Sequence, residues 1–228
     1  MTSVASKPEG GRLADDPLFQ DTHFVVLDFE GTTPRGAPPE PIEVAALGLK
    51  HERGRGPGRT GFSFTSFIRP PAHAPITPLG IAQTGITMRD VAEAPPAVTV
   101  LHALDEALPE PPLLLVAHHA PTEGSILYNY REACPRLART RIVDTLLLAK
   151  HVVPGLDSYS LDTLLAHFAI PQPAHRHRAM DDVTVTAVLL RTLLTEAAVG
   201  HKITTVAHLV RVASRPPRAT QPTQLELS

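Results

Sequence analysis

The stretch His23-Phe24-Val25-Val26-Leu27-Asp28-Phe29-Glu30-Gly31-Thr32-Thr33 constrains this chain more than any other. Phe24 to Leu27 is an apolar run with two β-branched residues, and it reads as a buried strand. The run ends in two carboxylates separated by one residue. Side chains alternate faces along a strand, so Asp28 and Glu30 share a face while Phe29 turns back toward the core. Neighbouring carboxylates repel, and a divalent cation with hard oxygen ligands relieves that repulsion. A strand that ends in a solvated acidic turn is the competing reading, and the motif alone does not decide between them.

The rest of the chain supplies the setting. Residues 41–49 and 61–70 read as two more strands, joined to the first by a Pro/Gly turn at 33–40 and a Gly/Arg-rich connection at 51–59. Such short connections predict an antiparallel meander. Glu43 sits inside the second strand, where a salt bridge or plain edge exposure accounts for it. Residues 96–108 place Val98, Leu101, Leu104 and Leu108 at helical spacing. Residues 113–117 are a short apolar run, read as a buried parallel strand, with His118, His119 and Glu123 just beyond it.

A helix is expected over 125–133, a brief strand over 141–145 and a helix from there to about 151. Ser158-Tyr159-Ser160 reads as the cap of a helix over 161–168. A His/Arg-rich loop over 170–178 leads to a strong helix from Asp181 to about Ala198, with Asp181 as its cap and Gly200 closing it. The expected organisation is a flexible tail at 1–20, one α/β domain at 21–198, and a C-terminal helix and tail at 199–228.

Glu123, His177 and Asp182 all fall at element ends. His177 lies five residues before Asp182, which is no same-face helical spacing. It reaches the same place only from the irregular segment before the helix. Carboxylates that hold two divalent ions can clamp a phosphodiester and activate a water. A neutral imidazole nearby can take that water's proton.

With these residues in place the chain resembles the DEDDh, or DnaQ-like, 3′→5′ exonucleases, a branch of the ribonuclease H-like superfamily. The motifs are Leu27-Asp28-Phe29-Glu30-Gly31-Thr32-Thr33, then Val116-Ala117-His118-His119-Ala120-Pro121-Thr122-Glu123, then His177-Arg178-Ala179-Met180-Asp181-Asp182. The linking stretches at 41–44, 67–70, 84–87, 143–146 and 158–161 also resemble the family, so the likeness spans about residues 23–197. It implies an α/β fold with a mixed central sheet, three antiparallel strands followed by parallel ones, flanked by helices. It implies two divalent metal ions, Mg²⁺ or Mn²⁺, held by Asp28, Glu30, Glu123 and Asp182, with His177 as general base. Phe29, Gly31, Thr32 and His118 are implied at the bound nucleotide, and the product is a nucleoside 5′-monophosphate.

The second motif departs from the family's usual His-Asn-Ala-x-Phe-Asp. His119 replaces Asn, Thr122 replaces an apolar residue, and Glu123 replaces Asp. Glu is one methylene longer, and an error near 1 Å in placement can cost on the order of a hundredfold in rate. A non-catalytic nucleic-acid or protein-binding module on the same fold is therefore the alternative, with a trimmer of short RNA as a third reading. Asp144 is either a support of the site or a helix cap. His118 is alternatively a core or surface histidine. His175, Arg176 and Arg178 are either phosphate contacts or a solvated loop.

Composition narrows the partners. A formal charge of −2 excludes a strongly basic binder, and 4% aromatic residues with no Trp exclude extensive base stacking. The lone Cys134 excludes an intrachain disulfide and a cysteine zinc site. No run approaches the roughly 18 apolar residues of a membrane span, so a soluble, cytoplasmic protein is expected. Its expected partners are single-stranded 3′ ends of DNA or RNA, with any polymerase or repair partner bound in trans.

Overall fold

The computed structural model describes residues 12–53, 56–173, 177–200 and 202–220. Residues 1–11 and 221–228, together with His175, Arg176 and His201, lie outside them. In chain order the elements are α1 (Pro17–Asp21), β1 (His23–Thr32), β2 (Glu40–Glu52), β3 (Gly56–Phe67), α2 (Pro78–Thr84), α3 (Met88–Val91) and α4 (Ala97–Ala107). Then follow β4 (Leu113–Ala117), α5 (Pro121–Asn129), α6 (Pro135–Arg139), β5 (Ile142–Asp144), α7 (Thr145–Val152), α8 (Leu161–His167), α9 (Ala179–Val199), α10 (Val206–Ala213) and β6 (Ser214–Arg215). The strands form one sheet in the order β3-β2-β1-β4-β5-β6. The expected meander is present, since β1, β2 and β3 pair antiparallel. β4 and β5 then continue in parallel, and β6 adds an antiparallel edge that the sequence pattern did not signal.

β1 is central because it is apolar on both faces. Phe24 and Val26 pack with Leu148, Leu164, Val183 and Leu190, on the side of α7, α8 and α9. Val25, Leu27 and Phe29 pack with Leu101, Leu104, Ile126 and Leu127, on the side of α4 and α5. Fully burying each such side chain is worth about 1.5–3 kcal/mol. A slip of one residue would exchange the two sets and drive Asp28 into the second cluster, so the register is strongly specified. Asp28 and Glu30 therefore emerge on the α9 side.

Several expectations shift. Residues 12–20, expected as tail, fold onto the core through Leu13 and Phe19, and the Asp16 carboxylate accepts from Val206 N–H at 2.7 Å. Val98 is 56% exposed, and Val100 takes its place in the core. The helix expected at 125–133 begins at Pro121, because proline suits a first helical position. The late helix begins at Ala179 rather than after Asp181, so Asp181 lies in its first turn and does not cap it. α6 arises where the buried Asp105 carboxylate accepts from Arg136 and Leu137 N–H at 3.2 and 2.7 Å. No described helix is long and apolar enough to cross a membrane.

Cys134 is fully buried, and its thiol donates to the Tyr130 carbonyl at 3.2 Å. Burial, and then the charge of Asp105, push the thiol up to about 12. Iodoacetamide at pH 8 is therefore expected to leave native protein unlabelled and to modify it in denaturant. Mass spectrometry showing rapid native labelling would contradict that packing.

Candidate active site

The site begins where β1 loses its regular pairing. The β1/β2 register shifts between Glu30 and Gly31. A Cβ at Gly31 would meet the Glu40 carbonyl at 3.1 Å, so this bulge favours glycine. Asp28 and Glu30 are half-buried, whereas Phe29 is 6% exposed inside the second core cluster. Thr32 is buried and its hydroxyl donates to the Pro75 carbonyl at 3.0 Å.

β4 runs parallel to β1 and delivers the second motif. Its chain turns at His119, whose φ of 63° lies in the left-handed region. That conformation is enriched in Asn, Asp and His among non-glycine residues, so His119 suits the turn where the family usually has Asn. The turn is held by Asp144 at the end of β5, whose carboxylate accepts from His119 N–H (3.0 Å), Ala120 N–H (3.2 Å) and Leu146 N–H (2.9 Å). Asp144 therefore caps α7, one of the two alternatives for it, and also holds this turn. His118 Nδ1 lies 2.9 Å from the Thr145 hydroxyl, which fixes the ring. Thr122 is exposed, so a polar residue there disturbs no packing.

Glu123, in the first turn of α5, is 4% exposed. Its Oε2 is buried without a hydrogen-bond partner. Burial first, and then the charges of Asp28, Asp144 and Glu30, push this carboxyl well above the usual carboxylate range. The longer side chain does reach the neighbourhood of Asp28.

The third motif arrives on α9. Glu30, His177 and Asp182 each offer a ligand atom, and these atoms lie within 4.8 Å of one another. Asp182 is buried in the first turn of α9, and exposed His177 sits just before it with a φ of 61°. A non-glycine residue in that region carries strain that its surroundings must hold. The holding group is Glu43, which the sequence pattern left as a salt bridge or an edge residue. Glu43 is directly opposite Glu30 in the β1/β2 register and so shares its face. Its carboxylate accepts from Arg178 Nε at 3.2 and 3.1 Å, from Arg178 Nη2 at 2.8 Å, and from Ala179 N–H at 3.0 Å. This clamp caps α9 from another strand and neutralises a charge that would otherwise add to the acidic face. It also engages Nε and Nη2 of Arg178 in structure.

A cleft of about 650 Å³ is lined by Asp28, Asp182, His118 and His119, and is completed by α7 and the segment before α8. Its donor set fits divalent cations. Glu30, His177 and Asp182 converge, and the Glu123 carboxyl is buried next to like charges, its Oε2 without a hydrogen bond. Among the described residues Asp28, Glu30, Glu123 and Asp182 are the groups that would hold such ions.

A family model described as RNase_T, Exonuclease, matches residues 25–190. The DNA polymerase III PolC-type of Oceanobacillus iheyensis is 34% identical over 178 residues, covering 78% of this chain and 12% of that protein. Its counterpart in Bacillus subtilis is 31% identical over 183 residues, covering 79% of this chain. The chain thus spans only 12% of the length of these curated relatives. Among solved structures, cell-death related nuclease 4 (CRN-4) superposes with a TM-score of 0.67 at 16% identity, covering 92% of this chain and 84% of that chain. The nuclease domain of 3′hExo, a DEDDh family member bound to rAMP, superposes with a TM-score of 0.65 at 18% identity, covering 80% of this chain and 96% of that chain. These two likenesses establish the ribonuclease H-like DEDD exonuclease fold.

Proposed function

This chain belongs to the RNase_T exonuclease family, the DEDDh 3′→5′ phosphodiester hydrolases, and from that premise we propose that it removes nucleotides from the 3′ end of a single strand in the cytoplasm. The convergence of Glu30, His177 and Asp182 within 4.8 Å carries this reading. Asp28, Glu30, Glu123 and Asp182 would hold two divalent cations, Mg²⁺ or Mn²⁺. When bound, such ions screen the phosphodiester's charge, acidify the attacking water and stabilise the leaving oxygen. His177 accepts the water's proton at the ring nitrogen that faces Glu30 and Asp182. The backbone at Phe29 and Gly31 borders the terminal nucleotide, because the Phe29 side chain belongs to the core. Thr32 contributes through its backbone as well, its hydroxyl being bonded to Pro75. His118, steadied by Thr145, borders the substrate. The PolC-type relatives are DNA polymerases, which favours DNA over RNA.

The deciding experiment uses 5′-labelled single-stranded DNA and RNA of matched sequence, with Mg²⁺, Mn²⁺ or EDTA. A metal-dependent ladder that shortens from the 3′ end, releasing nucleoside 5′-monophosphates, is expected. A folded protein that gives no ladder with any metal would be a binding module instead.

His177→Ala is expected to lower turnover by about 10²–10⁴, the span of general base contributions. A variant that keeps more than about one tenth of wild-type turnover would remove His177 as base. Glu43→Ala frees Arg178 and leaves Ala179 N–H without its acceptor. A loss of about 1–3 kcal/mol in denaturant titrations is expected. A fall in kcat of about tenfold should accompany it, because an error below 1 Å at His177 already costs that much. Stability lost with kcat intact would confine the clamp to folding.

A further inference from the structure

The cleft carries more than the catalytic groups. Of the described side chains that line it, the acidic ones are Asp28, Asp157 and Asp182, and the single basic one besides the histidines is Lys150. Lys150 lies in the last turn of α7. Its ammonium sits 5.6 Å from the centre of the Tyr159 ring, which also lines the cleft. That ring is anchored. The Tyr159 hydroxyl donates to the Val153 carbonyl at 2.8 Å and accepts from Leu156 N–H at 3.3 Å. The hydroxyls beside it are engaged locally. Ser158 Oγ accepts from Ser160 N–H at 3.2 Å, and Ser160 Oγ accepts from Thr163 N–H at 3.2 Å, capping α8.

An ammonium held over a fixed aromatic face is attracted to the ring and still faces water. It is poised for an anion that enters the cleft. The scissile phosphate belongs at Asp28 and Asp182, where bound cations neutralise it. The rest of the strand carries one further charge per nucleotide, and the remaining carboxylate, Asp157, repels it. A cation is needed where the strand continues, and the cleft offers one.

We propose that Lys150, seated on Tyr159, binds the phosphate immediately upstream of the scissile bond and so selects oligonucleotides over mononucleotide esters. The proposal rests on the exonuclease reading, and its test separates the two. The substrates are thymidine 5′-monophosphate p-nitrophenyl ester, which has no upstream phosphate, and a 5′-labelled oligothymidylate. Wild type, Lys150→Ala, Lys150→Glu and Lys150→Arg are compared from 50 to 200 mM KCl.

For Lys150→Ala the oligonucleotide's KM should rise about tenfold, more for Glu, with kcat within about twofold and Arg restoring most of the loss. The KM of the nitrophenyl ester should change less than about twofold. The dependence of log kcat/KM on log salt should flatten by about 0.7 for the oligonucleotide, the loss of one phosphate contact on a single strand. Equal effects on both substrates, or an unaltered salt slope, would overturn the proposal. If wild type turns over neither substrate with Mg²⁺ or Mn²⁺, the exonuclease reading fails. Fluorescence anisotropy of the same oligonucleotide in Ca²⁺ then still decides Lys150. A Kd about tenfold weaker in Lys150→Ala supports it as a phosphate contact, and an equal Kd removes it.

Discussion

Asp28→Ala is expected to abolish metal-dependent turnover, by at least about 10³-fold, while the melting temperature in EDTA stays the same or rises. Asp28 ends the buried part of β1, on the face that carries Glu30, and is half-buried. The packing that fixes β1 comes from Phe24 to Leu27 and from Phe29, none of which the substitution touches. Among the charges that push Glu123 upward, Asp28 acts most strongly. Removing it relieves repulsion in the metal-free fold. The catalytic loss has a different scale. Bound cations supply several kcal/mol of transition-state stabilisation, and about 4 kcal/mol already corresponds to roughly 10³ in rate. Two readouts check this together, the 3′-end ladder and thermal melts with and without Mn²⁺. Wild type should gain stability from Mn²⁺ by mass action, and the variant should gain much less. Residual activity above about one tenth of wild type, or a fall in melting temperature in EDTA, would remove Asp28 from the metal site.

How much of this was legible in the sequence follows from the range of the interactions involved. Alternation along residues 24–30 is a local property, so the outward turn of Asp28 and Glu30 and the inward turn of Phe29 could be read directly. The spacing of His177 and Asp182 likewise required an irregular segment before a helix, and the chain has one. Other features depend on partners far away in sequence. Glu43 meets Arg178 across 135 residues, and no periodicity within β2 announces that a buried acid there caps a helix. Its one local sign is an acidic residue inside an otherwise apolar strand, which in a central strand calls for a cationic partner. The start of α9 departs from the expectation for the same reason, since an acid on β2, 136 residues away in sequence, accepts from its first N–H in place of Asp181. Residues 12–20 looked like a tail because Leu13 and Phe19 are isolated apolar residues, and only the tertiary core gives them a place.

The departures in the second motif also become physical once the turn is in view. His119 occupies a left-handed position that histidine tolerates, and Thr122 faces water. Neither substitution marks decay. The weight of the question therefore falls on Glu123.

Glu123→Gln and Glu123→Asp are expected to move stability and activity in opposite directions. In EDTA the wild-type carboxyl is held above its ordinary range by burial and by Asp28. A carboxyl raised in the folded state is protonated there at pH values where the unfolded chain has already ionised. Metal-free stability should therefore fall as pH rises from the ordinary carboxylate range up through the raised value. Gln keeps the shape and removes the titration. Its melting temperature in EDTA should match wild type below about pH 4, the ordinary carboxylate range, and rise above it at higher pH. Saturating Mn²⁺ should reverse the order, because only the carboxylate gains from the ion. Turnover should fall by about 10³ in the same variant. Glu123→Asp separates reach from charge. The wild-type carboxylate is already delivered to Asp28 from the first turn of α5, so shortening it by about 1 Å should cost on the order of a hundredfold in kcat. A faster enzyme with Asp would mean that glutamate is an ill-fitting substitute at this position. A slower one would mean that the turn at His119, the Asp144 clasp and the start of α5 are set for the longer acid, and that this second motif is a working variant of the usual one.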